Sequence, residues 1–426
     1  MPVPPTSQIS SVAARSHPQS PYQLSQRLLV LFAVAAGLSV ANIYCAQPLL
    51  DAIASSFGFS NAAVGSVITL TQIGYALGLF FIVPLGDLVD RRRLILSQLL
   101  LAASALLLVS FSGTKGFLLV AMFFVGLLAV VVQVLVAFAA ELAHPEERGR
   151  AVGTVTSGVV LGILLARTFA GIINDLAGWR AVYLVSASLT LLLACILFRV
   201  LPASNDRVEG SYIELLGSVI KLYKTTPILR IRAALALLLF AAFSIFWTSL
   251  VLPLSDLPHP LTHTAIGLFG LAGVAGAAAA GRAGALADKG KGQWTTGAGL
   301  LLLTLSWILI GALHRSLWIL VIGIVLLDFA VQAVHVTNQS MIFAARPEAK
   351  SRLVAAYMVF YSLGSGVGAI ASTRTYAHFG WTGVCLLGGS VSVLALVVWA
   401  VTLRASERLL LHGSEMPSCQ ANASLQ

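Results

Sequence analysis

The chain has 426 residues, of which 58% are hydrophobic and only 10% are charged. Soluble domains carry roughly a quarter of their residues as charged ones, so this composition excludes an ordinary soluble protein. The formal net charge is +10, but the basic residues lie in short loops between apolar runs rather than on one soluble face. Nucleic acid is therefore not an expected partner.

Neither the N-terminal segment nor the cysteines indicate a folded extra domain, a signal peptide or a metal site. Residues 1–26 are rich in Pro, Ser and Gln, which predicts a disordered tail. The first apolar run is too long for the apolar core of a signal peptide, so it is expected to remain as a helix. The cysteines have no spacing typical of a zinc site or a disulfide framework, and we expect no metal and no cofactor. They are Cys45, Cys195, Cys385 and Cys419.

Twelve apolar runs are long enough to cross a membrane, which takes roughly 20 residues of helix. In the first half of the chain they fall at 28–50, 61–85, 94–112, 116–142, 151–173 and 180–200. In the second half they fall at 232–254, 263–287, 294–313, 316–343, 353–377 and 381–403. We number them spans one to twelve. The sequence therefore predicts an all-α membrane protein with twelve transmembrane helices.

The second half repeats the layout of the first about two hundred residues later. Four segments recur: Pro48-Leu49-Leu50-Asp51 as Pro253-Leu254-Ser255-Asp256, Gly86-Asp87 to Asp90 as Gly284-Ala285 to Asp288, Pro145-Glu146 as Pro347-Glu348, and Gly178-Trp179 as Gly380-Trp381. This predicts two pseudo-symmetric six-helix bundles, residues 27–200 and 232–403, joined by a linker at 201–231 and followed by a tail at 404–426. Two homologous halves in a membrane favour a carrier.

The basic residues are distributed unevenly between the two sides of the membrane. The side opposite the N-terminal tail has Lys115, Arg180 and Arg315. The loops on the tail side have sixteen: Arg91, Arg92, Arg93, Arg148, Arg150, Arg199, Arg207, Lys221, Lys224, Arg230, Arg232, Lys289, Lys291, Arg346, Lys350 and Arg352. The positive-inside rule then places both tails in the cytoplasm of a multi-pass protein of the inner cell membrane.

A loop motif carries a family resemblance. Between spans two and three stands Gly86-Asp87-Leu88-Val89-Asp90-Arg91-Arg92-Arg93, which resembles motif A of the major facilitator superfamily, and residues 284–291 resemble its counterpart in the second half. Residues 42–50 resemble the Asn-Ile-Tyr-x-x-Gln-Pro-Leu-Leu segment of efflux-like members in the bacterial drug:proton antiporter branch. The chain departs from the antiporter pattern in span five, where Ile163 stands in place of a proline.

The resemblance implies that the motif closes the cytoplasmic gate by docking across the two halves. Gly86 permits close approach, Asp90 can accept backbone N–H groups at a facing helix start, and Arg91 can bind a carboxylate or lipid headgroups. Gly284 and Asp288 occupy the matching positions in the second half. A basic loop that only sets topology is the alternative. Glu141, at the end of span four, is either a partner for these arginines or a solvated helix-end carboxylate.

Asp328 is the carboxylate with the clearest chemical meaning, because it falls near the middle of an apolar run. An ionised Asp at a helix centre costs roughly 2.5 to 3.5 kcal/mol on insertion scales. A buried carboxylate that takes and releases a proton as its surroundings become dry and wet can couple transport to a proton gradient. A carboxyl group that stays neutral and hydrogen-bonded is the alternative.

Arg167, midway along span five, is the matching cation. Arginine keeps its proton, so it must face a carboxylate, backbone carbonyls, water or an anionic substrate. We expect Arg167 to contact Asp328 in one state and to lose that contact during the transport cycle. A permanent structural ion pair is the alternative.

Four polar residues follow Asp328 on one face of span ten, at spacings of four, seven, ten and eleven. They are Gln332, His335, Asn338 and Gln339. Such a stripe is not expected to face lipid. His335 either relays protons near neutral pH or is a neutral, hydrogen-bonded residue.

In the superfamily, spans one, four, seven and ten line the central cavity. The resemblance therefore implies that polar residues on these spans contact substrate, with ordinary interhelical hydrogen bonding as the alternative. The candidates are Asn42, Tyr44, Gln47, Trp247, Gln332, Asn338 and Gln339. Glycines on spans five and eight, among them Gly158, Gly162, Gly267, Gly270 and Gly273, provide low-bulk surfaces at the expected junction of the halves.

Motifs of other protein classes are missing from the sequence. There is neither a phosphate-binding loop for an ATP-driven pump nor a His-Glu-x-x-His metalloenzyme motif, so we expect no enzyme. The sequence predicts a secondary transporter that works by alternating access, as a monomer in the lipid bilayer, and exports a small organic solute against protons. An uptake symporter, a uniporter and a transporter-like membrane sensor are the alternatives.

Overall fold

The computed structural model describes residues 25–144, 146–202, 211–274, 282, 283, 286–345 and 350–414, without the side chains of 287, 288, 350, 351 and 405–414. Most of these residues are helical and none of them is in a strand, so the all-α prediction is confirmed for them. The predicted motif residue Gly284 lies outside the described residues, as does the side chain of Asp288. Most of both tails also lies outside them.

Six helices form the first half. They are α1 (Gln26–Phe57), α2 (Ser66–Asp87), α3 (Arg91–Ser110), α4 (Lys115–Leu142), α5 (Arg148–Ala177) and α6 (Trp179–Val200). The second half contains α7 (Pro227–Ser255), α8 (described over His263–Gly273), α9 (Lys289–Ile310), α10 (Leu317–Ala345) and a long helix over Arg352–Arg404. Ten helices of the described chain are long and apolar enough to cross a membrane. The last of these ten contains two predicted spans.

Glycine divides that long helix at the position that the sequence repeat indicates. Gly380 has φ 59° and separates α11 (residues 352–379) from α12 (residues 381–404), as Gly178, with φ 81°, separates α5 from α6. A residue without a Cβ adopts this left-handed conformation readily. The tryptophan after each glycine is buried, and Trp179 donates to Ser56 while Trp381 donates to the carbonyl of Ile310. The repeated Gly-Trp sequence thus forms the same helix boundary in both halves.

Polar side chains fix the starts of several helices. Ser25 accepts from the backbone N–H of Leu28 at 3.2 Å at the start of α1, and Thr114 accepts from Phe117 at 3.3 Å at the start of α4. Asp90 accepts from the N–H of Arg92 at 2.9 Å at the start of α3. We expected Asp90 to cap a facing helix, but in this structure it caps its own. N-terminal N–H groups have no partner inside the helix, so such caps are needed in an apolar setting.

A helix over Tyr212–Thr225 occupies much of the linker. It buries Val219 and Leu222, while Ile213 and Glu214 on its other face are exposed. Helix α7 then begins at Pro227, earlier than the predicted 232. Arg232 therefore lies within α7 and is fully buried, so its assignment to a basic loop was wrong.

The two halves contact each other on one side of the molecule. We call the side of Gln26 and Arg91 the tail side and the other the far side. Toward the far side, Thr69 of α2 donates to the carbonyl of Gly366 on α11 at 2.8 Å. Thr168 of α5 donates to the carbonyl of Gly267 on α8 at 3.0 Å. These contacts close the far side.

A cavity of about 590 Å³ separates the halves on the tail side. Residues from both halves and from the linker helix line it, including Gly86, Arg91, Gln133, Val219 and Arg352. The structure thus has an open space toward the tails and a closed contact toward the far side. This is one of the two end states that alternating access requires.

The first half is held together by helices that approach at glycine. A Cβ on Gly126 of α4 would lie 1.8 Å from the carbonyl oxygen of Thr71 on α2. We expect Gly126→Ala to lower the free energy of unfolding by about 1 to 3 kcal/mol through overpacking, measured as a lower melting temperature in detergent. Gly153→Ala is the control, because a Cβ at that position would have no atom within 4 Å. Equal melting temperatures would contradict this close approach.

Candidate functional site

Asp328 of α10 lies at the junction of the two halves and is only 5% exposed. Its Oδ1 accepts a hydrogen bond from Nε1 of Trp247 on α7 at 3.1 Å. Gly273 of α8 lies close to the other oxygen, since a Cβ there would stand 2.9 Å from Oδ2. Asp328 thus faces neighbouring helices, as a membrane-buried carboxylate with a function is expected to do.

Arg167 of α5 approaches the same place from the first half and is 2% exposed. Its Nε donates to Oε1 of Gln47 on α1 at 3.0 Å, and its guanidinium lies 3.8 Å from the ring centre of Trp247. Tyr44 and Phe243 also stand within 6 Å of the guanidinium. Aromatic faces stabilise a cation that has lost its water. The Nη2 group has no hydrogen-bond partner among the described residues.

Trp247 connects Arg167 to Asp328. Its ring stacks on the guanidinium while its N–H binds the carboxylate. No Arg167–Asp328 ion pair within 4.0 Å occurs in the described part of the chain. The predicted direct contact is therefore absent from this conformation, and the indole stands between the two charges. The prediction that they meet in another state remains a prediction.

A small cavity of about 20 Å³ borders both charged residues. Gln332, Phe243 and Gly273 line it together with Arg167 and Asp328. Space of this size fits about one water molecule. Gln332, which is half-buried, is thus the member of the predicted polar stripe that lies with Asp328.

The remaining members of the stripe lie farther along α10, in a separate cluster. Nδ1 of His335 is 3.0 Å from the hydroxyl of Tyr357 on α11. Asn338 accepts from Arg232 at 3.2 Å and donates to Tyr357 at 3.5 Å. Gln339 is half-buried. This cluster is held within the second half, so the stripe does not form one continuous site.

The candidates on α1 are divided in the same way. Tyr44 hydrogen-bonds Tyr361 of α11 across the halves, and Gln47 holds Arg167. Asn42 instead donates to Thr190 of α6 at 3.5 Å, inside the first half. The structure therefore brings Tyr44 and Gln47 to the central site and places Asn42 away from it.

Part of the predicted gating motif, Gly86, Asp87 and Arg91, lines the tail-side cavity. Arg91 forms an ion pair with Glu141, lies 3.3 Å from Asp87, and donates to the carbonyl of Gly86 at 3.0 Å. All of these residues belong to the first half. In this conformation the ion pairs of Arg91 therefore stay within its own half.

Sequence reasoning missed two aromatic residues and one cation. Phe243 stands one turn before Trp247 on α7, at helical spacing that could have placed both in the site. Tyr361 reaches the site from α11, which no local pattern indicated. Arg232 donates to Thr296 and Asn338 from a fully buried position. Arg232 is the first residue of a predicted span, and this position could have indicated that its side chain lies among helices rather than in a loop.

The chemistry that this arrangement supports is binding and proton exchange. One carboxylate and one guanidinium, both buried, approach from opposite halves and share a single indole. A shift of one half against the other moves Arg167 relative to Trp247, whereas Asp328 keeps its hydrogen bond to Trp247 within the second half. The described residues contain no group of three or more His, Cys, Asp or Glu side chains that could hold a metal ion.

Comparison with known proteins gives a consistent result over most of the chain. The family model described as Major Facilitator Superfamily matches residues 32–295 and 261–418. An uncharacterized transporter, YgaY, from Escherichia coli O157:H7 is 48% identical over 378 residues, which cover 89% of this chain and 96% of that protein. The probable transporter SCO4007 from Streptomyces coelicolor is 33% identical over 92% of both chains.

Solved structures share the fold at low sequence identity. A bacterial homolog of the human lysosomal transporter Spinster, in an inward-facing and occupied conformation, has a TM-score of 0.68 and 14% identity. It covers 91% of this chain, and 96% of that chain is matched. This likeness shows the fold alone.

Proposed function

Because this chain belongs to the Major Facilitator Superfamily and is a multi-pass membrane transporter rather than an enzyme, we propose that it exports a small organic solute by proton-coupled alternating access. The proposal places it in the inner cell membrane, as a monomer with both tails in the cytoplasm. Residues 27–200 and 232–403 are the two bundles that rock about the central site. The observation that carries the proposal is the Trp247 bridge between Asp328 and Arg167.

Proton coupling is supported by the position of Asp328. A buried carboxylate is stable when protonated or when it faces a cation. Here the nearest cation, Arg167, belongs to the other half, so rocking of the halves alters the preference of Asp328 for its proton. Water that reaches the small cavity in one state provides the route by which the proton leaves. His335, whose Nδ1 lies 3.0 Å from the hydroxyl of Tyr357 and whose ring lies 6.2 Å from that of Tyr361, is the proposed proton relay beside this step.

Export is supported by the tail-side cavity and by the resemblance of residues 42–50 to the drug:proton antiporter branch. With both tails in the cytoplasm, a solute enters the cavity of about 590 Å³ from the cytoplasm. Its walls are largely apolar, with Arg91, Arg148 and Arg352 among its lining residues. The proposed substrate contacts are residues of the central site that do not line this cavity in the present conformation, namely Tyr44, Gln47, Trp247 and Gln332. A solute that reaches them displaces contacts that now hold Arg167.

A panel of small organic solutes tests this function in cells that express the full chain. Each solute is loaded, its efflux is timed, and the assay is repeated after an uncoupler collapses the proton gradient. We expect faster efflux of at least one solute than in cells with empty vector, and loss of that difference after collapse. Efflux that survives collapse would favour a uniporter, gradient-driven accumulation would favour an uptake symporter, and no flux of any solute would favour a sensor.

A further inference from the structure

A second cluster of ionisable side chains joins the two halves on the far side, and its hydrogen bonds among the described residues do not include Asp328. The imidazole of His263, the first residue of α8, lies between two carboxylates of the first half. Its Nε2 is 3.0 Å from Oδ1 of Asp51 on α1, and its Nδ1 is 3.2 Å from Oδ1 of Asp175 on α5. Ser255 of α7 donates to Asp51 at 2.8 Å. We call these four residues the far-side latch.

The hydrogen-bond pattern defines the charge of His263. A neutral imidazole has one N–H donor and one acceptor nitrogen, whereas an imidazolium has two donors. Both ring nitrogens face carboxylate oxygens, which only accept. Both contacts are therefore satisfied only when the ring is protonated. Asp175 also accepts the backbone N–H groups of His263 and Thr264, at 3.1 and 2.8 Å, which fixes this carboxylate at the start of α8.

Each neighbouring charged group has a defined place. Asp51 and Asp175 are the carboxylates in contact with the ring, and they come from the two first-half helices that pack against it. Ser255, the last residue of α7, is neutral, and Asp256, the residue after it, accepts from Tyr376 of its own half at 2.8 Å. Asp256 is the repeat counterpart of Asp51, so only one of the two duplicated carboxylates joins the halves. The latch therefore depends on Asp51 of the first half and has no counterpart at Asp256 in the second.

We propose that His263, Asp51 and Asp175 form a second protonation site, which holds the far side closed while the imidazole is protonated and releases it on deprotonation. The side chains of all three are 21 to 27% exposed, so protons reach them from the far side. When the ring loses a proton, one nitrogen becomes an acceptor that faces a carboxylate, and an attraction between the halves becomes a repulsion. A rise in far-side pH therefore opens that side. The proposal rests on the alternating-access motion of the proposed function and not on its proton coupling.

The test measures the separation of the halves directly by double electron–electron resonance. Spin labels are placed on Asn61→Cys and His314→Cys, which are exposed far-side positions in different halves, in the full chain without its native cysteines. From pH 5.5 to pH 9 we expect the ratio of far-side-open to far-side-closed molecules to rise about tenfold, as for the loss of a hydrogen bond to a charged group. No change across this range would overturn the proposal.

Three variants identify the group that responds. His263→Gln is expected to show at pH 5.5 the open fraction that the parent shows at pH 9, and to lose the pH response. His259→Gln, an exposed histidine close by in the chain, is expected to behave as the parent. Asp175→Asn removes the negative charge opposite Nδ1 and should weaken the response, which gives a second test if His263→Gln does not fold. A His263→Gln protein that keeps the parent's response refutes the latch.

The same measurement in an Asp328→Asn background separates this proposal from the proposed function. We expect the pH response to persist there, since the latch lies outside the central site. If the response disappears in Asp328→Asn and remains in His263→Gln, the titrating group is the central carboxylate. In that case the latch is wrong and the proton-coupled function stands.

Discussion

Replacing Asp328 with Asn is expected to reduce gradient-driven transport by at least about tenfold, which corresponds to about 1.4 kcal/mol in the coupled step. The amide keeps the size of the carboxyl group and can still accept from Trp247, but it cannot take up or release a proton. Exchange of labelled for unlabelled solute needs no net proton movement, so it should continue. Both rates are measured in proteoliposomes with the solute that the efflux panel identifies.

Two further variants make the result specific. Glu214→Gln, in the linker helix, removes an exposed carboxylate and should leave both rates unchanged. Trp247→Phe keeps an aromatic ring over Arg167 but removes the N–H donor to Asp328, so an intermediate loss is expected. If Asp328→Asn transports against a gradient as well as the parent does, Asp328 is a neutral hydrogen-bonding group and the alternative interpretation is correct.

The sequence predicted the helices and the two central charges because both are local properties. The length of an apolar run decides whether a helix can span a bilayer. A single Asp or Arg within such a run is visible without any knowledge of packing, which is why Asp328 and Arg167 could be identified. The paired joints at Gly178 and Gly380 were likewise visible as a repeat, and both have positive φ in the structure.

Side-chain partners across helices could not be predicted in this way. The insertion of Trp247 between Arg167 and Asp328 depends on how α5, α7 and α10 are rotated about their axes, and no sequence period records that rotation. The contact of Asn42 with α6 could not be predicted for the same reason. His263 lies at the boundary of a loop and a span, where a histidine has no distinguishing local pattern. Its role depends on two carboxylates that are 88 and 212 residues away in the chain.

The close approach of α5 and α8 connects the far-side contact to the central site. A Cβ on Gly267 of α8 would lie 2.4 Å from the carbonyl oxygen of Arg167, and a Cβ on Gly171 of α5 would lie 2.2 Å from the carbonyl oxygen of His263. One face of α5 therefore touches α8 at the turn of the central cation and again at the latch. When the far side opens, α8 must leave both places together. Movement at the far side thus changes the surroundings of Arg167 through backbone contact.

Gly267→Ala is accordingly expected to shift the protein toward the far-side-open state. Backbone atoms cannot move aside as a flexible side chain can, so the added methyl group must push α8 away from α5, at a cost of about 1 to 3 kcal/mol. That cost corresponds to a change of about 5- to 150-fold in the ratio of the two states. The ratio is measured with the spin labels at positions 61 and 314, and transport should fall as the ratio shifts.

Gly366→Ala is the matched control on the α2–α11 contact, where the atom nearest to the added Cβ would be 3.4 Å away. An unchanged ratio in Gly267→Ala, or an equal shift in both variants, would show that close approach of α5 and α8 does not hold the far side closed.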